Sequence, residues 1–410
     1  MGELPGPVTE TLRLSGKPDP ARRPAALAHR YYTALLNGDL GSLEVLTDRY
    51  HQDVNAVFEI SHDELEWRVK SPASYGLSGV WSLEYKRELS TPLRVAAGRG
   101  HAGCACAGGH DACAALLLEH GADPQLRSQD GRAPLHFCTA PGSLGCARLL
   151  LQHGAAVGPA AEDTGDTPLH VAARHGLREH AELYLARGAA VDARNAQEET
   201  PLGVLCGQAP SDQEGCLQLC RLLLRHGAHV EARDEARRRP LHRACGQANH
   251  QLAHCLLRRG ADVNALDYDG LSPLGCALRA AACKRELWPH LCVQLLLNHG
   301  AQKIWPGAFA KVLESCAAVP EIIEILFNSY SQIPVLETWA KAVPEEVFQQ
   351  HATFYESFFG LAGRVRCLQH LCRSAIRKVL GSKCQRLVPL LPVPKALHSY
   401  LLLEPQGMVL

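Results

Sequence analysis

Apolar positions along this chain fall into short blocks of helical spacing, each block closed by a glycine, and the blocks recur. A tetrapeptide of Thr-Pro-Leu-His type opens each: Thr91-Pro92-Leu93-Arg94, Ala133-Pro134-Leu135-His136, Thr167-Pro168-Leu169-His170, Thr200-Pro201-Leu202-Gly203, Arg239-Pro240-Leu241-His242 and Ser272-Pro273-Leu274-Gly275. The openings lie 42, 34, 33, 39 and 33 residues apart. The apolar runs end at Gly121, Gly154, Gly188, Gly227, Gly260 and Gly300. A fixed period of this length sets the architecture ahead of any local reading, because it marks one supersecondary unit used again and again.

The unit can be read from its residue types. A Thr or Ser hydroxyl ahead of Pro caps a helix whose first turn the Pro ring presets. Small residues follow, as in Val171-Ala172-Ala173, and Gly176 breaks this helix. A second helix over Glu179 to Ala186 carries Ala181, Leu183 and Leu185, and Gly188 supplies the left-handed stop. Ala190 to Arg194 then forms an extended excursion. One unit cannot bury its own apolar face, and stacked units share a core. At these residues the chain resembles the ankyrin repeat, which implies an all-α solenoid of helix-turn-helix units with short hairpin loops. Six units are expected over 87–303, divided at 87–123, 129–161, 163–194, 196–234, 235–267 and 268–303. A degenerate copy over 29–58 (Tyr31 to Asp39 as first helix) precedes them. Residues 1–28 read as a flexible N-terminus, and the stretch holding Trp67, Trp81 and Tyr85, which has no repeat register, as the rest of an N-terminal cap ending at 86.

Three units are longer than the others. Gln208 to Gln213 and Cys283 to Glu286 lengthen the turns of the Thr200 and Ser272 units, and such loops are candidate binding features. The Thr91 unit is irregular at 100–110, where Gly100-His101 and Gly109-His110 repeat a helix ending in tandem. An in-frame loss of 24 residues from a 33-residue repeat would produce that spacing.

Charge excludes one class of partner. With 42 Lys+Arg against 42 Asp+Glu the net charge is zero, so a surface built for nucleic acid is not expected. The N-terminus has no signal-type apolar run and nothing approaches a bilayer span, so we expect a cytoplasmic protein, with the nucleus as the alternative, and no membrane partner. The 17 Cys sit mostly inside helical patterns and read as reduced core residues. Cys104-x-Cys106 with His101, His110 and Cys113 is a dense ligand set without a second Cys pair at zinc spacing. His250 and His254 lie one helical turn apart but lack the Glu of a zinc hydrolase helix. Neither is read as a metal site, no cofactor is expected, and no nucleophile elbow, P-loop, dinucleotide or kinase signature appears, so the chain is not read as an enzyme.

Residues 304–363 read as helices sealing the C-terminal end of the stack, and 364–410 form a separate module. In it Leu368, Leu371, Cys372, Ala375, Ile376 and Val379 make one apolar stripe of helical period, with Arg366, His370, Arg373 and Arg377 off it. Periodicity alone fits two arrangements: the stripe packs on the last repeat, or it docks a partner. An extended Leu390-Leu391-Pro392-Val393-Pro394 segment and a terminal helix follow. Together these resemble a SOCS box, and with the repeats the chain resembles the ankyrin repeat and SOCS box family.

That resemblance implies a substrate-recognition subunit of a cullin-RING ubiquitin ligase, with no chemistry of its own. Leu368, Leu371, Cys372 and Ile376 would dock elongin C, itself paired with elongin B. Leu391, Pro392, Val393 and Pro394 would favour cullin five and its RING partner, and the repeats would hold an unknown protein substrate. By repeat register the substrate face would use Gln129, Arg132, Arg174, Arg194, Glu198, Glu235, Arg238, Gln247, Tyr268 and Asp269. Two departures stand out: Arg364-Val365-Arg366 replaces the family's usual Pro-Arg before the docking helix, and Val393 replaces the usual Leu. The alternative is a protein-binding scaffold that assembles no ligase, for instance because the irregular 100–110 region or burial of Leu368 within the chain prevents it.

Overall fold

In a computed structural model of the chain the described residues are 11–14, 25–49, 58–71, 80–90, 92–93, 109–128, 131–209, 212–362, 364–407 and 409. They form two compact units, Met1–Ala190 with Arg194–Ala196, and Val191–Ala193 with Gln197–Leu410.

The first unit opens with elements the all-α reading did not contain. Strands β1 (Thr11–Leu14), β2 (Phe58–Ser71) and β3 (Val80–Ser90) make an antiparallel sheet in the order β1-β2-β3. Leu12 lies opposite Ile60, Leu65 opposite Tyr85 and Trp67 opposite Leu83. The register shifts between Ser61 and Leu65. The sequence shows why: apolar residues alternate at Phe58 and Ile60, then change phase to Leu65, Trp67 and Val69, as a bulge requires. Helix α1 (Ala25–Asn37) buries Tyr31 and Leu35 completely. The side chain of Asp39 accepts from the Ser42 amide at 3.1 Å to start α2 (Leu40–Glu44). A short turn at Gly38-Asp39 links the two helices, with the Asp39 amide donating to Ala34 O at 2.9 Å.

Helix α3 (Gly109–Glu119), a 3₁₀ turn over Pro134–Phe137, α4 (Leu144–Gln152), α5 (Pro168–Arg174) and α6 (Arg178–Ala186) continue the first unit. The irregular 100–110 segment lies outside the described residues except for Gly109 and His110 in α3. In the second unit, first helices α7 (Pro201–Cys206), α9 (Pro240–Gly246) and α11 (Pro273–Cys283) pack side by side. Second helices α8 (Gln213–Arg225), α10 (His250–Arg258) and α12 (Pro289–Asn298) form a parallel row behind them. Both rows run one pair beyond Ala301, through α13 (Phe309–Cys316) and α14 (Pro320–Ser329). The described Cys residues are free thiols, mostly buried in these rows.

The opening tetrapeptides are capped in two ways. Thr200 and Ser272 use their hydroxyls, each accepting at 3.3 Å from the amide three residues on. Where the fourth residue is His, the imidazole takes over. The amides of Ala133 and Arg239 donate to Nδ1 of His136 and His242 at 3.1 and 3.2 Å. That fixes the neutral tautomer with Nε2–H free to donate, to Asp166 O at 3.0 Å and to Ala265 O at 3.1 Å. The histidine thus joins its helix start to the next hairpin, which explains how Ala133 and Arg239, without hydroxyls, can occupy the capping position.

Backbone closeness is greatest at Gly165, which has φ +68° and leaves a Cβ only 2.5 Å from the Ala196 amide nitrogen. Gly165→Ala is therefore expected to destabilise the first unit by about 1–3 kcal/mol, read as a lowered denaturation midpoint.

Beyond α14, a 3₁₀ segment (Glu337–Ala342), α15 (Glu345–Gln350) and α16 (Ala352–Phe359) bury an aromatic cluster. Phe309 stacks on Trp339 with centroids 4.7 Å apart, and Phe358 meets Phe327 edge-on at 4.9 Å. Through Phe327, over which the Arg366 guanidinium lies, the cluster meets the C-terminal module.

Candidate docking site on the C-terminal helix

Helix α17 (Leu368–Leu380) is oriented opposite to an ordinary amphipathic helix. Its polar face is buried: His370 is 1% exposed, Arg373 4%, and Arg366 just ahead of it 7%. Its apolar stripe is outside, with Leu368 76% exposed and Val379 86%. Leu371, Ala375, Ile376 and the Cys372 thiol are exposed along the same face. Of the two arrangements periodicity allowed, the structure adopts the one in which the stripe is free.

Hydrogen bonds explain the inversion. Arg366 donates from Nη2 to Asn328 Oδ1 at 2.6 Å and to His370 Nδ1 at 2.9 Å. Arg373 Nη2 donates to the same Nδ1 at 2.8 Å, and His370 Nε2–H donates to Tyr330 O at 2.8 Å. The two guanidiniums also lie over rings, Arg366 on Phe327 at 4.7 Å and Arg373 on Tyr400 at 4.1 Å. One turn on, Arg377 Nη1 donates to Asn298 Oδ1 at 2.6 Å and Leu401 O at 2.7 Å. Each buried donor of this lock that finds an acceptor offsets its loss of water, so the polar face is the one that packs. Burial, then Arg366 and Arg373, push the His370 pKa down to about 4.

The rest of the module is small. A short helix α18 (Cys384–Leu387) and α19 (Lys395–Leu401) enclose Cys384, Val388 and Leu401, with Leu380, Leu391 and Leu402 against them. Leu391 is thus partly spent on this core, Val393 is half-buried, and Pro392 and Pro394 are exposed. The tail is tied down as well. Gln294 and Asn298 donate to Leu402 O at 3.0 and 2.8 Å, and the Gln406 and Gly407 amides donate to the Glu324 carboxylate at 2.7 and 3.0 Å.

The register-based substrate residues divide between the units. In the first, Arg132 pairs with Asp163 at 2.7 Å and Arg174 with the buried Asp166 at 2.8 Å, while Arg194 is exposed. Gln129 lies outside the described residues. In the second, Glu198, Glu235, Arg238, Tyr268 and Asp269 are exposed. Arg238 is held by Asp234 at 3.0 Å, and Tyr268 is 76% exposed. Gln247 is different: it donates to Gly207 O at 2.7 Å and accepts from Lys284, so it braces adjacent repeats. Sequence reasoning passed over Leu266, 60% exposed beside Tyr268, which is out of helical register and so left no periodic signal.

Among the described residues no group of three or more His, Cys, Asp or Glu is placed to hold a metal ion, and no helix is long and apolar enough to cross a membrane. His101, Cys104 and Cys106 lie outside the described residues.

The two buried histidines with the largest shifts give a pH prediction. His180, 1% exposed, is held at about 4 by burial, and His370 by burial and its arginines. Both are neutral in the folded chain down to about pH 4 and take a proton near pH 6.5 when unfolded. Their contribution is therefore complete above 6.5 and lost as pH falls toward 4, at up to about 1.4 kcal/mol per pH unit for each. Thermal melts stepped from about pH 7 to 5 should show falling midpoints, less steeply in His180→Phe.

Stacked helix pairs that offer surface, ending in a helix whose apolar face is turned outward over a buried polar lock, define a protein-binding adaptor. Comparisons with known proteins agree. A family model described as ankyrin repeats matches in three copies over residues 82–160, 101–195 and 207–306, and a SOCS box model matches 364–402. Human ankyrin repeat and SOCS box protein 18 is 55% identical over 92% of this chain and 86% of its own length. Mouse ankyrin repeat and SOCS box protein 16 is 35% identical over 99% and 91%. The crystal structure of the human ASB11 ankyrin repeat domain aligns with 60% of this chain and 90% of that one, at 26% identity and a TM-score of 0.43. The chain belongs to the ankyrin repeat and SOCS box family. Its role at that level is substrate-recognition adaptor of cullin-RING ligases. Trp305-Pro306 and the Leu401 to Gly407 run resemble member sixteen, yet over its length the chain is more similar to member eighteen.

Proposed function

We propose that this chain is the substrate-binding subunit of an elongin and cullin five type ubiquitin ligase. The carrying observation is the exposed stripe of Leu368, Leu371, Cys372 and Ile376 on a helix anchored by its polar face. Elongin C would cover that stripe, with the small Cys372 leaving a notch between Leu368 and Ile376, and elongin B would accompany it. Exposed Pro392 and Pro394, with Leu391 and Val393 fixing the segment between them and the module core, would meet cullin five, and its RING partner would follow. Of the two grounds for a scaffold that assembles no ligase, burial of Leu368 is not what the fold adopts, with 76% of it exposed, and the irregular 100–110 segment lies outside the described residues except for Gly109 and His110.

The repeats would hold the substrate. In the second unit Tyr268 with Leu266 forms an apolar hairpin tip of the kind that anchors interfaces, flanked by Glu198, Glu235, Arg238 and Asp269. In the first unit Arg132, Arg174 and Arg194 would contribute. The chain would form and break no covalent bond, its part being to raise the local concentration of a substrate lysine near the charged conjugating enzyme. A cytoplasmic setting suits this role. Affinity purification of the tagged chain should recover elongins B and C and cullin five together; recovery of none would return the module to a structural role.

A further inference from the structure

The second-helix row carries a site that the ligase reading does not use. Between α8, α10, α12 and the C-terminal residues Gln385, Leu402 and Glu404 lies an open cleft of about 750 Å³. Helical spacing makes its rim cationic. Arg221 and Arg225 stand one turn apart on α8, and His250, His254 and Arg258 occupy successive turns of α10, with Arg259 following. The four arginines are exposed, and among the described residues none of them forms an ion pair. Elsewhere in the same unit Arg238, Arg239 and Arg243 are each neutralised by acids. Among the lining residues Glu404 carries the one carboxylate. Lys383 and Arg386 continue the cationic surface into an adjoining hollow that shares His254 and Arg258. Burial first, then His299, Arg258, His250 and Arg221, hold His254 below the ordinary histidine range, as an excess of positive charge would. The lining is also apolar, with Leu217, Leu291, Leu295 and Leu402.

We infer that this cleft binds an acidic segment of another protein chain, its carboxylates or phosphates on the arginine rim and its apolar side chains on the leucines. Charge complementarity selects the anion, and the apolar lining selects a peptide over a free phosphate, which would leave the leucines uncovered. The surface is separate from the α17 stripe, none of whose residues lines the cleft, so it stands or falls apart from elongin docking.

The test uses the full chain and fluorescence anisotropy with a labelled short peptide of alternating glutamate and leucine. Companion probes carry glutamine or phosphoserine in place of glutamate, and inositol hexakisphosphate is the competitor. Binding of the glutamate or phosphoserine peptide but not the glutamine one is expected. Arg221→Glu with Arg258→Glu, both at exposed positions, should weaken it about tenfold or more without moving the melting midpoint. A stronger phosphoserine probe identifies a phosphorylated segment, and equal affinities a carboxylate-rich one. Equal binding of the glutamine peptide, no binding of any peptide, binding of inositol hexakisphosphate alone, or an unaffected double variant would overturn the inference. The double variant's recovery of elongins B and C reports on the ligase reading independently.

Discussion

Leu368→Asp should abolish recovery of elongins B and C while leaving the melting midpoint of the chain almost unchanged. Leu368 is the first residue of α17 and is three-quarters exposed, so the folded chain gives up little apolar contact when it is replaced. An acidic residue in the first turn of a helix is favoured by the helix dipole, which makes the substitution neutral to slightly stabilising for α17 itself. A covered interface reacts differently. Burying a leucine contributes about 1.5–3 kcal/mol, and burying an unpaired carboxylate costs several more, so affinity should fall on the order of a hundredfold or beyond. Cys372→Phe, which fills the notch, should act in the same direction. Isothermal titration with purified elongin B/C decides the matter. An unchanged affinity for Leu368→Asp would show that the stripe is not the docking surface.

The repeat period, the helix stops and the stripe on α17 were all legible in the sequence, because each rests on local spacing. The sheet was also written there, in the alternation from Phe58 to Val69, but a reading tuned to a 33-residue helical period passed over a period of two. Pairing of β2 with β3 is a contact between strands, which local spacing reports weakly. The facing of α17 was not legible. An apolar stripe specifies that something covers it, and only Asn328, Tyr330, Asn298 and Leu401, brought from other elements, decide that the polar side turns inward. At the Arg364-Val365-Arg366 departure, Arg366 is one of the groups holding the helix in place, which the family pattern alone does not report. Gln247, which register places on the substrate face, is also held between repeats by its own amide, a contact that local spacing does not report.

His370→Leu should be the most damaging single change in the C-terminal module, costing about 3–5 kcal/mol. The neutral imidazole makes three bonds at once, accepting from Arg366 and Arg373 on Nδ1 and donating to Tyr330 O from Nε2. Leucine fills much of the same space but accepts and donates nothing. Arg366 would keep Asn328 as a partner, whereas Arg373 would lose its hydrogen-bond acceptor and keep the Tyr400 ring and the attraction of the Glu324 carboxylate, and the Tyr330 carbonyl would be left without this donor. Buried charge without an acceptor is the costly case, far more so than a lost exposed contact. His370→Gln supplies one acceptor and one donor on a flexible stem and should recover about half of the loss. Urea denaturation followed at the Trp339 cluster, which packs beside this lock through Phe327 and Phe358, would report the difference. The two substitutions separate anchoring from docking: Leu368→Asp should lose the partner and keep the fold, and His370→Leu should lose stability and bind elongin in proportion to the fraction still folded. A His370→Leu chain as stable as the native one would mean that the buried arginines find other acceptors and that the lock does not set the orientation of α17.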